Sequence, residues 1–409
     1  MNCRHCSNPL KFVFIDMVNA PPSNSYLTEE QLNEIEVYYP LKVFVCEKCF
    51  LVQIDEYKHH DEIFSQDYAY FSSFSKSWLK HSEEYVKMIT ERLKLTPDSS
   101  VMEIASNDGY LLQYFARKGI PSFGIEPTAN TAKAAREKGI ETIEDFFGFH
   151  SARKIVALKG TLDLIIGNNV LAHVPDIHDF IAGMKIALKE HGTITMEFPH
   201  LLNLLRYHQF DTIYHEHYSY LSFHTLLDVF SSHGITLYDV DEIPTHGGSL
   251  RIYGRHQEYD SIPVSQNVKT LIRKEFDFGL NSLDIYRQFQ HEADKIKDEF
   301  IMFLLEQRRA EKKVAIYGAA AKGNTLLNYC GIKGDSLIQF AVDASPFKQG
   351  KYLPGSHIPI YSEQKIRDEK PDFVIIMPWN IRDEIEHQLS YIRQWGGKFL
   401  TVIPEQEIF

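Results

Sequence analysis

A stretch of twelve residues, DTIYHEHYSYLS from Asp211 to Ser222, carries two histidines, one glutamate and three tyrosines. An imidazole, whose pKa is ordinarily near about 6.5, can take up a proton at neutral pH. Tyrosine hydroxyls can donate hydrogen bonds to a developing oxyanion, and a carboxylate can hold a histidine in one tautomer. This composition predicts a proton-transfer site, and a solvated polar strand edge is the alternative interpretation.

The alternation of the same stretch is typical of a half-buried strand. In a strand, Tyr214, Glu216 and Tyr218 share one face, whereas His215 and His217 share the other. A purely structural strand has little use for this combination of residues, which favours the functional interpretation. A metal site built on the two histidines is disfavoured, because no third ligand is obvious nearby.

Four of the five cysteines form two identical pairs, Cys3-x-x-Cys6 and Cys46-x-x-Cys49. Each pair can bind one zinc ion from a tight knuckle, and two pairs complete a closed tetrahedral thiolate site. Because sulfur fills all four positions, we expect a structural Zn²⁺ rather than a catalytic one. Redox-active dithiols and coincidence are the alternatives.

A loop with the sequence EIASNDG, Glu103–Gly109, lies between a buried strand pattern and a helix pattern, and it lacks the strict GxGxxG of dinucleotide folds. Its acidic side chains disfavour a pyrophosphate and favour a cationic ligand, S-adenosylmethionine rather than NAD. Glu126 ends the next strand, where a carboxylate can bind a ribose diol. The candidate cofactor-binding residues of this region are Glu103, Ser106, Asn107, Gly109 and Glu126.

Further polar residues follow later strands of the same sheet. Asp145 and Phe146 come after the third strand, where an adenine ring would meet an acceptor and an apolar face. The fourth strand ends in GNNVLAHV, which brings Asn168, Asn169 and His173 to the carboxyl edge where open α/β sheets bind ligands. Asp145, Phe146 and Asn168 are assigned to the cofactor. Core packing is the alternative for the phenylalanine.

A second loop, GAAAKG over Gly318–Gly323, resembles a dinucleotide fingerprint whose central glycine has become alanine. Lys322 places a positive charge at a helix start, which suits a phosphate group. A Rossmann-type domain that only packs against its neighbours is the alternative.

The elements that position these residues follow a βαβ rhythm, which predicts a mostly parallel, doubly wound sheet with helices on both faces. One long helical pattern from about Asn281 to Arg309 has a single apolar seam and precedes a second, smaller βαβ unit. The predicted fold class is therefore α/β. It comprises a small zinc-binding module over residues 1–75, a Rossmann-like cofactor domain over 76–255, and a linker helix with a second Rossmann-like domain over 256–409.

The totals exclude several classes of function. A net charge of −12 over 409 residues argues against non-specific binding of nucleic acid. No apolar run approaches the roughly 20 residues that cross a bilayer. The first residues lack the layout of a signal peptide, so a cytoplasmic location without membrane attachment is expected.

Several segments, in one order along the whole chain, resemble the bacterial deoxysugar C-methyltransferases, such as those of the tetrocarcin, tylosin and novobiocin pathways. One departure is Ala105, which stands where a glycine is more usual in the cofactor loop. The matching segments are the two CxxC pairs, DYAYFSS, EIASNDGYLL, GIEP, NNVLAHV, EFPH, DTIYHEHYSYLS, THGGSLRIY and YGAAAKGNTLLNYCGI.

The resemblance implies a class I methyltransferase domain that binds S-adenosylmethionine and methylates C3 of a nucleotide-linked 4-keto-6-deoxy sugar. A 4-keto group acidifies the C3 proton, and its removal gives an enolate. We expect His217 to be the base, although the division of labour with His215 stays open. Tyr214 and Glu216 are expected beside the sugar, and His173 at O4.

The resemblance also implies substrate contacts. Asn169 is placed near the sugar, and either Tyr68 or Tyr70 reaches it from the amino-terminal side. His246 and Arg251 are candidates for the diphosphate, with a structural hairpin as the alternative for their segment, and Lys322 could meet the same group. The carrier could be dTDP, GDP or a cytidine nucleotide, and the enzyme a monomer or homodimer.

Three other functions remain open from the sequence. An O- or N-methyltransferase would use the same cofactor, but its acceptor would need less acid–base equipment. A NAD-dependent oxidoreductase would use one of the two glycine loops. A non-enzymatic scaffold would use the zinc module to bind another protein.

Overall fold

The computed structural model describes residues 1–57, 71–260, 262–334 and 337–409, which are built around three β-sheets. The α/β class is confirmed. The strands are β1 (Phe12–Ala20), β2 (Tyr39–Val45), β3 (Val52–Ile54), β4 (Val101–Ile104), β5 (Ser122–Ile125), β6 (Thr142–Ile143), β7 (Leu162–Asn168), β8 (Leu188–Pro199), β9 (Ser219–Tyr220), β10 (Ile235–Ile243), β11 (Ser249–His256), β12 (Val314–Tyr317), β13 (Phe340–Val342), β14 (Ile360–Tyr361), β15 (Phe373–Ile376), β16 (Lys398–Thr401) and β17 (Glu407–Ile408).

The α-helices of the described residues flank these sheets. They are α1 (Lys76–Leu93), α2 (Leu112–Arg117), α3 (Ala129–Glu137), α4 (Phe149–Lys159), α5 (Ile177–Ala187), α6 (Leu201–Arg206), α7 (Phe223–Ser231), α8 (Gln266–Phe278), α9 (Asp284–Arg287), α10 (Phe289–Arg309), α11 (Ala321–Tyr329), α12 (Gln364–Glu369) and α13 (Arg382–Gln388).

The middle sheet has the order β10-β11-β8-β7-β4-β5-β6. Strands β6, β5, β4, β7 and β8 run parallel, and β11 lies antiparallel between β8 and β10. The central strands read as nearly continuous apolar runs because helices cover both faces of the sheet. The carboxyl ends of β4, β5, β7 and β8 therefore meet at one edge, where the polar residues that follow them can share a site.

The amino-terminal sheet has the order β1-β2-β3-β9 and is antiparallel. Its fourth strand comes from the stretch Asp211–Ser222, the candidate catalytic stretch, because Ser219 and Tyr220 pair with Gln53 and Val52. The sequence did not indicate this pairing. It joins the zinc module to the middle domain through backbone hydrogen bonds.

The carboxyl-terminal sheet has the order β14-β13-β12-β15-β16-β17, in which only β17 is antiparallel. The predicted helical seam is confirmed along α10, where Ala293, Ile296, Phe300 and Phe303 are buried, but the predicted helix is divided at Gln288, and its first part is the short helix α9. The ring of Phe289 stacks on Phe14 of β1 at 4.5 Å between centroids, so this helix packs against the amino-terminal sheet.

Domain boundaries drawn from the sequence stay a prediction. Helix α8 falls in the predicted carboxyl-terminal unit, yet its Val268 and Leu271 pack in the core of the middle sheet. None of the helices in the described ranges is long and apolar enough to cross a membrane.

Candidate active site

The four cysteines of the CxxC pairs converge on one point. All four Sγ atoms lie within 4.8 Å of one another, with Cys3 and Cys49 3.5 Å apart and Cys6 and Cys46 3.4 Å apart. A tetrahedral site with Zn–S bonds of about 2.3 Å has sulfur atoms about 3.8 Å apart. The cluster therefore fits a closed structural zinc site without an open position.

The loop after β4 exposes polar atoms to a buried space. Both carboxylate oxygens of Glu103 and the hydroxyl of Ser106 are buried, and within the described chain they have no hydrogen-bond partner of normal geometry. The same holds for both amide atoms of Asn168 at the end of β7. The buried Tyr110 hydroxyl approaches Glu103 and Asn168 without good hydrogen-bond geometry. A ligand with its own donors and acceptors would satisfy these groups.

The charge of this space fits S-adenosylmethionine. Burial raises the pKa of Glu103 well above its usual value, and the neighbouring carboxylates of Glu126 and Asp108 add to the effect, so the site favours a cation that would balance this charge. The ammonium group of the cofactor would supply that cation. Gly124 and Gly167 have no room for a side chain, since a Cβ atom would lie 2.1 Å from Ser106 Oγ and 2.4 Å from Met196 Sδ.

The remaining cofactor candidates differ in the number of hydrogen bonds that they already make within the protein. Glu126 is buried and accepts hydrogen bonds from the backbone N–H groups of Asn107 (2.9 Å) and Thr128 (3.0 Å), which leaves lone pairs for a ribose. Asp145 accepts from the N–H of Phe146 at 2.9 Å and is partly exposed. Gly109 has a φ of +75°, as the turn requires.

A segment that precedes helix α1 covers this loop. The backbone N–H of Ser72 donates to the Asn107 side chain at 2.9 Å, and the hydroxyl of Ser73 donates to Asp108. Lys138 forms an ion pair with Asp108 at 2.8 Å. Tyr68 and Tyr70, which precede this segment, lie outside the described residues.

The interpretation of the catalytic stretch as a strand is wrong for most of its length. Residues Phe210–Thr212 form a 3₁₀ turn, and only Ser219 and Tyr220 pair as strand. Between them the N–H of His217 donates to the carbonyl of Tyr214 at 2.9 Å, which closes a turn. The two histidines therefore do not share a face: His215 Nε2 donates to the Pro40 carbonyl, 3.2 Å away, against the amino-terminal sheet.

His217 and Tyr214 form a hydrogen-bonded pair. Nδ1 of His217 lies 2.8 Å from the Thr212 carbonyl oxygen, and because that oxygen only accepts, Nδ1 carries the hydrogen. In the neutral ring Nε2 then holds a lone pair, which accepts from the Tyr214 hydroxyl at 2.9 Å. The turn thus fixes the tautomer in which Nε2 is the basic atom.

His173 lies beside this pair, with its ring 4.7 Å from that of His217. Its Nδ1 donates to the backbone carbonyl of Glu216 at 2.7 Å. Carbonyl oxygens therefore orient both histidines, while the Glu216 carboxylate accepts from the Asn24 amide at 2.7 Å. With Nδ1 engaged, a neutral His173 presents Nε2 as an acceptor, so it can donate to O4 only after it gains a proton.

The electrostatics keep these histidines neutral. Desolvation lowers the pKa of His217 well below its usual value, and the neighbouring His173 adds to the effect. Desolvation also lowers the pKa of His173 and of His246 to about 4. Tyr214, His217, His173 and His246 are each only half-buried, and this partly exposed cluster of side chains is called the recess below.

The three diphosphate candidates differ in availability. Arg251 is buried and donates to the Glu197 carboxylate at 2.7 Å, so its planar fork is already engaged. Lys322 donates to the Asn380 side chain at 2.7 Å and lies 4.4 Å from the Trp379 ring centroid. Lys322 also acts on His246 and His217, whose pKa values its charge lowers. Arg251 is therefore a poor phosphate ligand as placed, whereas Lys322 adjoins the recess.

Three further residues near the recess carried no sequence signal, because they are brought there by contacts between distant parts of the chain. The buried carboxylate of Asp211 accepts from the Trp379 indole N–H at 2.7 Å, and burial raises the pKa of Asp211 to about 6. Asn324 is buried with both amide atoms lacking a partner among the described residues. Its neighbour Thr325 donates to the Ile213 carbonyl at 2.9 Å, which places α11 against the catalytic turn.

A row of aromatic rings joins the cofactor loop to the recess. Trp78 lies 6.0 Å from Tyr110, next to Gly109, and 5.2 Å from His246. Asn169, whose N–H donates to the Glu197 carbonyl at 2.8 Å, follows Asn168 in the same region with a φ of +53°. The two candidate sites are thus adjacent, as a group transfer between two ligands requires.

Family models match the chain in three consecutive parts. A zinc binding domain matches residues 3–64, a methyltransferase domain residues 78–240, and a C-methyltransferase C-terminal domain residues 244–404. The C-methyltransferase NovU of Streptomyces niveus is 32% identical over 406 residues, which cover 99% of this chain and 96% of that protein.

Solved structures resemble less than half of the chain. An S-adenosylmethionine-dependent methyltransferase from Clostridium acetobutylicum is 9% identical, with a TM-score of 0.35, and the match covers 44% of this chain and 92% of that one. The magnesium protoporphyrin IX methyltransferase from Synechocystis, with bound SAH, is 14% identical, with a TM-score of 0.35, and the match covers 43% of this chain and 82% of that one.

The full-length relative and the three ordered family matches confirm the family that the sequence motifs predicted. The chain is an S-adenosylmethionine-dependent C-methyltransferase with an amino-terminal zinc-binding domain, and it belongs to the sugar C-methyltransferase family.

Proposed function

We propose that the enzyme methylates C3 of a nucleotide-linked 4-keto-6-deoxy sugar through an enolate, in deoxysugar biosynthesis. The observation that carries the proposal is the turn Thr212–His217, which fixes the basic Nε2 of His217 against the Tyr214 hydroxyl in a half-buried recess. Transfer to a carbon needs such a base, whereas a hydroxyl or amine acceptor needs less.

His217 and Tyr214 have different roles in this reaction. The 4-keto group acidifies C3–H, and His217 Nε2 accepts this proton. Tyr214 turns its hydroxyl from Nε2 to O4, where it donates to the developing oxyanion and leaves the base free. Preorganised donors of this kind contribute about 3 kcal/mol each to transition-state stabilisation.

S-adenosylmethionine, when bound, supplies an electrophilic methyl group on its sulfonium. Glu103 would hold its ammonium group and Glu126 its ribose, and Asn168 lies at the same sheet edge. These residues only bind and orient. The proton chemistry belongs to His217 and its neighbours.

The nucleotide diphosphate would lie towards the carboxyl-terminal domain, next to Lys322 and His246. Supporting this placement, the charge of Lys322 reaches His246 and His217 and is balanced within the described chain by Asp211. A dTDP or GDP carrier fits the proposal, in a monomer or a homodimer.

Deuterium incorporation tests the proposal without methyl transfer. With dTDP-4-keto-6-deoxyglucose in heavy water, the wild type should exchange C3–H, and His217→Ala should lose about 100-fold or more of that rate. His150→Ala, which removes an exposed histidine of α4, is the matched control and should exchange normally. Exchange in His217→Ala at the wild-type rate would remove the base role from this residue.

A further inference from the structure

A loop of the zinc-binding domain, Pro21–Leu27, lies between the catalytic turn and the carboxyl-terminal domain. Leu27 and Tyr352 exchange two backbone hydrogen bonds, at 3.0 and 2.8 Å, which pins the end of the loop. The N–H of Ser25 donates to the Pro22 carbonyl at 3.1 Å, which closes a turn inside it. The loop is thus held at fixed points.

Two side chains of this loop reach functional groups of the other domains. The Asn24 amide nitrogen donates to the Glu216 carboxylate at 2.7 Å. The buried Tyr26 hydroxyl donates to the Ala319 carbonyl at 2.6 Å and lies 3.3 Å from the Asn24 amide oxygen. The loop therefore connects the catalytic turn to the glycine loop of the carboxyl-terminal domain.

Two strands connect this loop to the cysteine cluster. Strand β1 ends at Ala20, immediately before the loop, and pairs with β2, which ends at Val45 beside Cys46. Cys46 packs with the core of the middle domain, whereas Phe14 of β1 packs with α10. The strand that leads into the loop is therefore paired with one that ends at the cysteine cluster.

We infer that Asn24 is a positioning residue for the reaction, which holds the Glu216 carboxylate in place and thereby makes the zinc-binding domain part of the active site. The inference rests on the proposed function, in which Glu216 lies beside the sugar. Glu216 is buried, and a hydrogen bond to a carboxylate is about twice as strong as one between neutral groups. A donated amide hydrogen fixes the direction of that carboxylate.

A double-mutant cycle tests the inference. Asn24→Ala, Glu216→Gln and the double variant are compared by kcat and KM for C3 deuterium exchange of dTDP-4-keto-6-deoxyglucose. Asn24→Ala should lower kcat about 10-fold with little change in KM. In the Glu216→Gln background it should cost nothing further, because Asn24 acts through that carboxylate. Losses that multiply would overturn the inference.

Two more variants separate positioning from loss of structure. Asn24→Asp keeps the shape but places a second carboxylate beside Glu216, so it should lose more activity than Asn24→Ala. Ser25→Ala changes the exposed neighbour and should behave as wild type. Zinc content and the far-UV circular dichroism spectrum should match the wild type in every variant, which shows that each one is folded. Asn24→Asp activity equal to or above that of Asn24→Ala would contradict the role.

Failure of the two proposals can be told apart. A wild type that exchanges C3–H but shows an additive cycle contradicts only the positioning role of Asn24. A wild type that does not exchange C3–H contradicts the proposed function, and the inference falls with it.

Discussion

The two strand-to-helix loops of this enzyme look alike in sequence and differ in how their polar atoms are satisfied. In the middle domain, the loop Glu103–Gly109 leaves Glu103 and Ser106 buried without a hydrogen-bond partner in the described chain, and Asn168 lies beside it in the same state. Buried polar groups are rarely left unpaired. The polar groups of this loop are therefore suited to bind a ligand.

In the carboxyl-terminal domain, the backbone of Ala319 in the loop Gly318–Gly323 is satisfied by the protein itself, whereas the buried Asn324 just after the loop has no partner among the described residues. The N–H of Ala319 donates to Asp343 at 2.8 Å, and its carbonyl accepts from Tyr26 at 2.6 Å and from Lys348 at 3.0 Å. Lys348 also pairs with Asp343 at 3.3 Å. The position at which a Rossmann domain would bind a dinucleotide is filled by these side chains.

The comparison teaches that unsatisfied buried groups identify a cofactor site better than glycine spacing does. The second loop has the spacing closer to a dinucleotide fingerprint, yet its turn is closed. The loop Glu103–Gly109 resembles a dinucleotide fingerprint less closely, yet its acidic side chains suit a cationic ligand.

The largest effect is expected where the second loop is structural. Lys348→Met should lower the free energy of unfolding by about 3 kcal/mol, because it leaves the mostly buried Asp343 carboxylate without its ammonium partner. Affinity for S-adenosylmethionine should not change. Denaturant unfolding and calorimetry measure the two quantities, with the exposed Lys398→Met as control. Lost cofactor affinity with unchanged stability would reverse the assignment of the loops.

Glu103→Gln should change the affinity for S-adenosylmethionine, in contrast to Lys348→Met, which should change stability. It should weaken S-adenosylmethionine binding about 10- to 100-fold, since a hydrogen bond to a charged group contributes about 1.5–3 kcal/mol. Asp343→Asn should leave that affinity unchanged. Equal losses in both variants, measured by titration calorimetry, would show that the two loops do not differ as described.

The raised pKa of Glu103 sharpens the same contrast. A carboxyl group whose folded pKa lies above its ordinary value of about 4.5 stabilises the fold most at low pH, and this contribution is lost as the pH rises through the raised value. Binding a cationic cofactor should ionise Glu103 and release up to one proton. The binding enthalpy should therefore vary with the ionisation enthalpy of the buffer, and Glu103→Gln should abolish this dependence.

The smallest effect concerns Ala105, which has a φ of +54°. A left-handed alanine costs about 1–2 kcal/mol, part of which is offset because glycine loses more entropy on folding. Ala105→Gly should therefore raise stability by about 0.5 kcal/mol. Ala116→Gly, on an exposed position of helix α2, should lower it by about 0.5–1 kcal/mol. Thermal unfolding of both variants compares the signs, and a destabilising Ala105→Gly would contradict this account.

Much of the fold could be predicted from local pattern. The apolar runs at Val101–Ile104 and Leu162–Asn168 gave the parallel strands, and the seam from Phe289 to Phe303 gave the long helix. The cysteine spacing predicted a four-cysteine cluster, and the structure brings these four side chains together. These features depend on residues close together in the chain, where period and spacing carry the information.

The catalytic stretch shows where local pattern stops. Its alternation predicted a strand. Instead, His217 Nδ1 donates a hydrogen bond to the Thr212 carbonyl, and the chain forms a turn. Neither the link of Asp211 to Trp379 nor that of Asn24 to Glu216 could be read from spacing, because each joins residues more than 150 positions apart. Such contacts depend on how whole domains pack.

The position of the transferred methyl group tests the central claim most directly. The enzyme would be given S-adenosylmethionine labelled with ¹³C in its methyl group, together with dTDP-4-keto-6-deoxyglucose, and the product examined by NMR. The account predicts a labelled methyl bonded to C3, with correlations to the neighbouring C4 carbonyl. Label bonded to a sugar oxygen, or to any carbon other than C3, would contradict it.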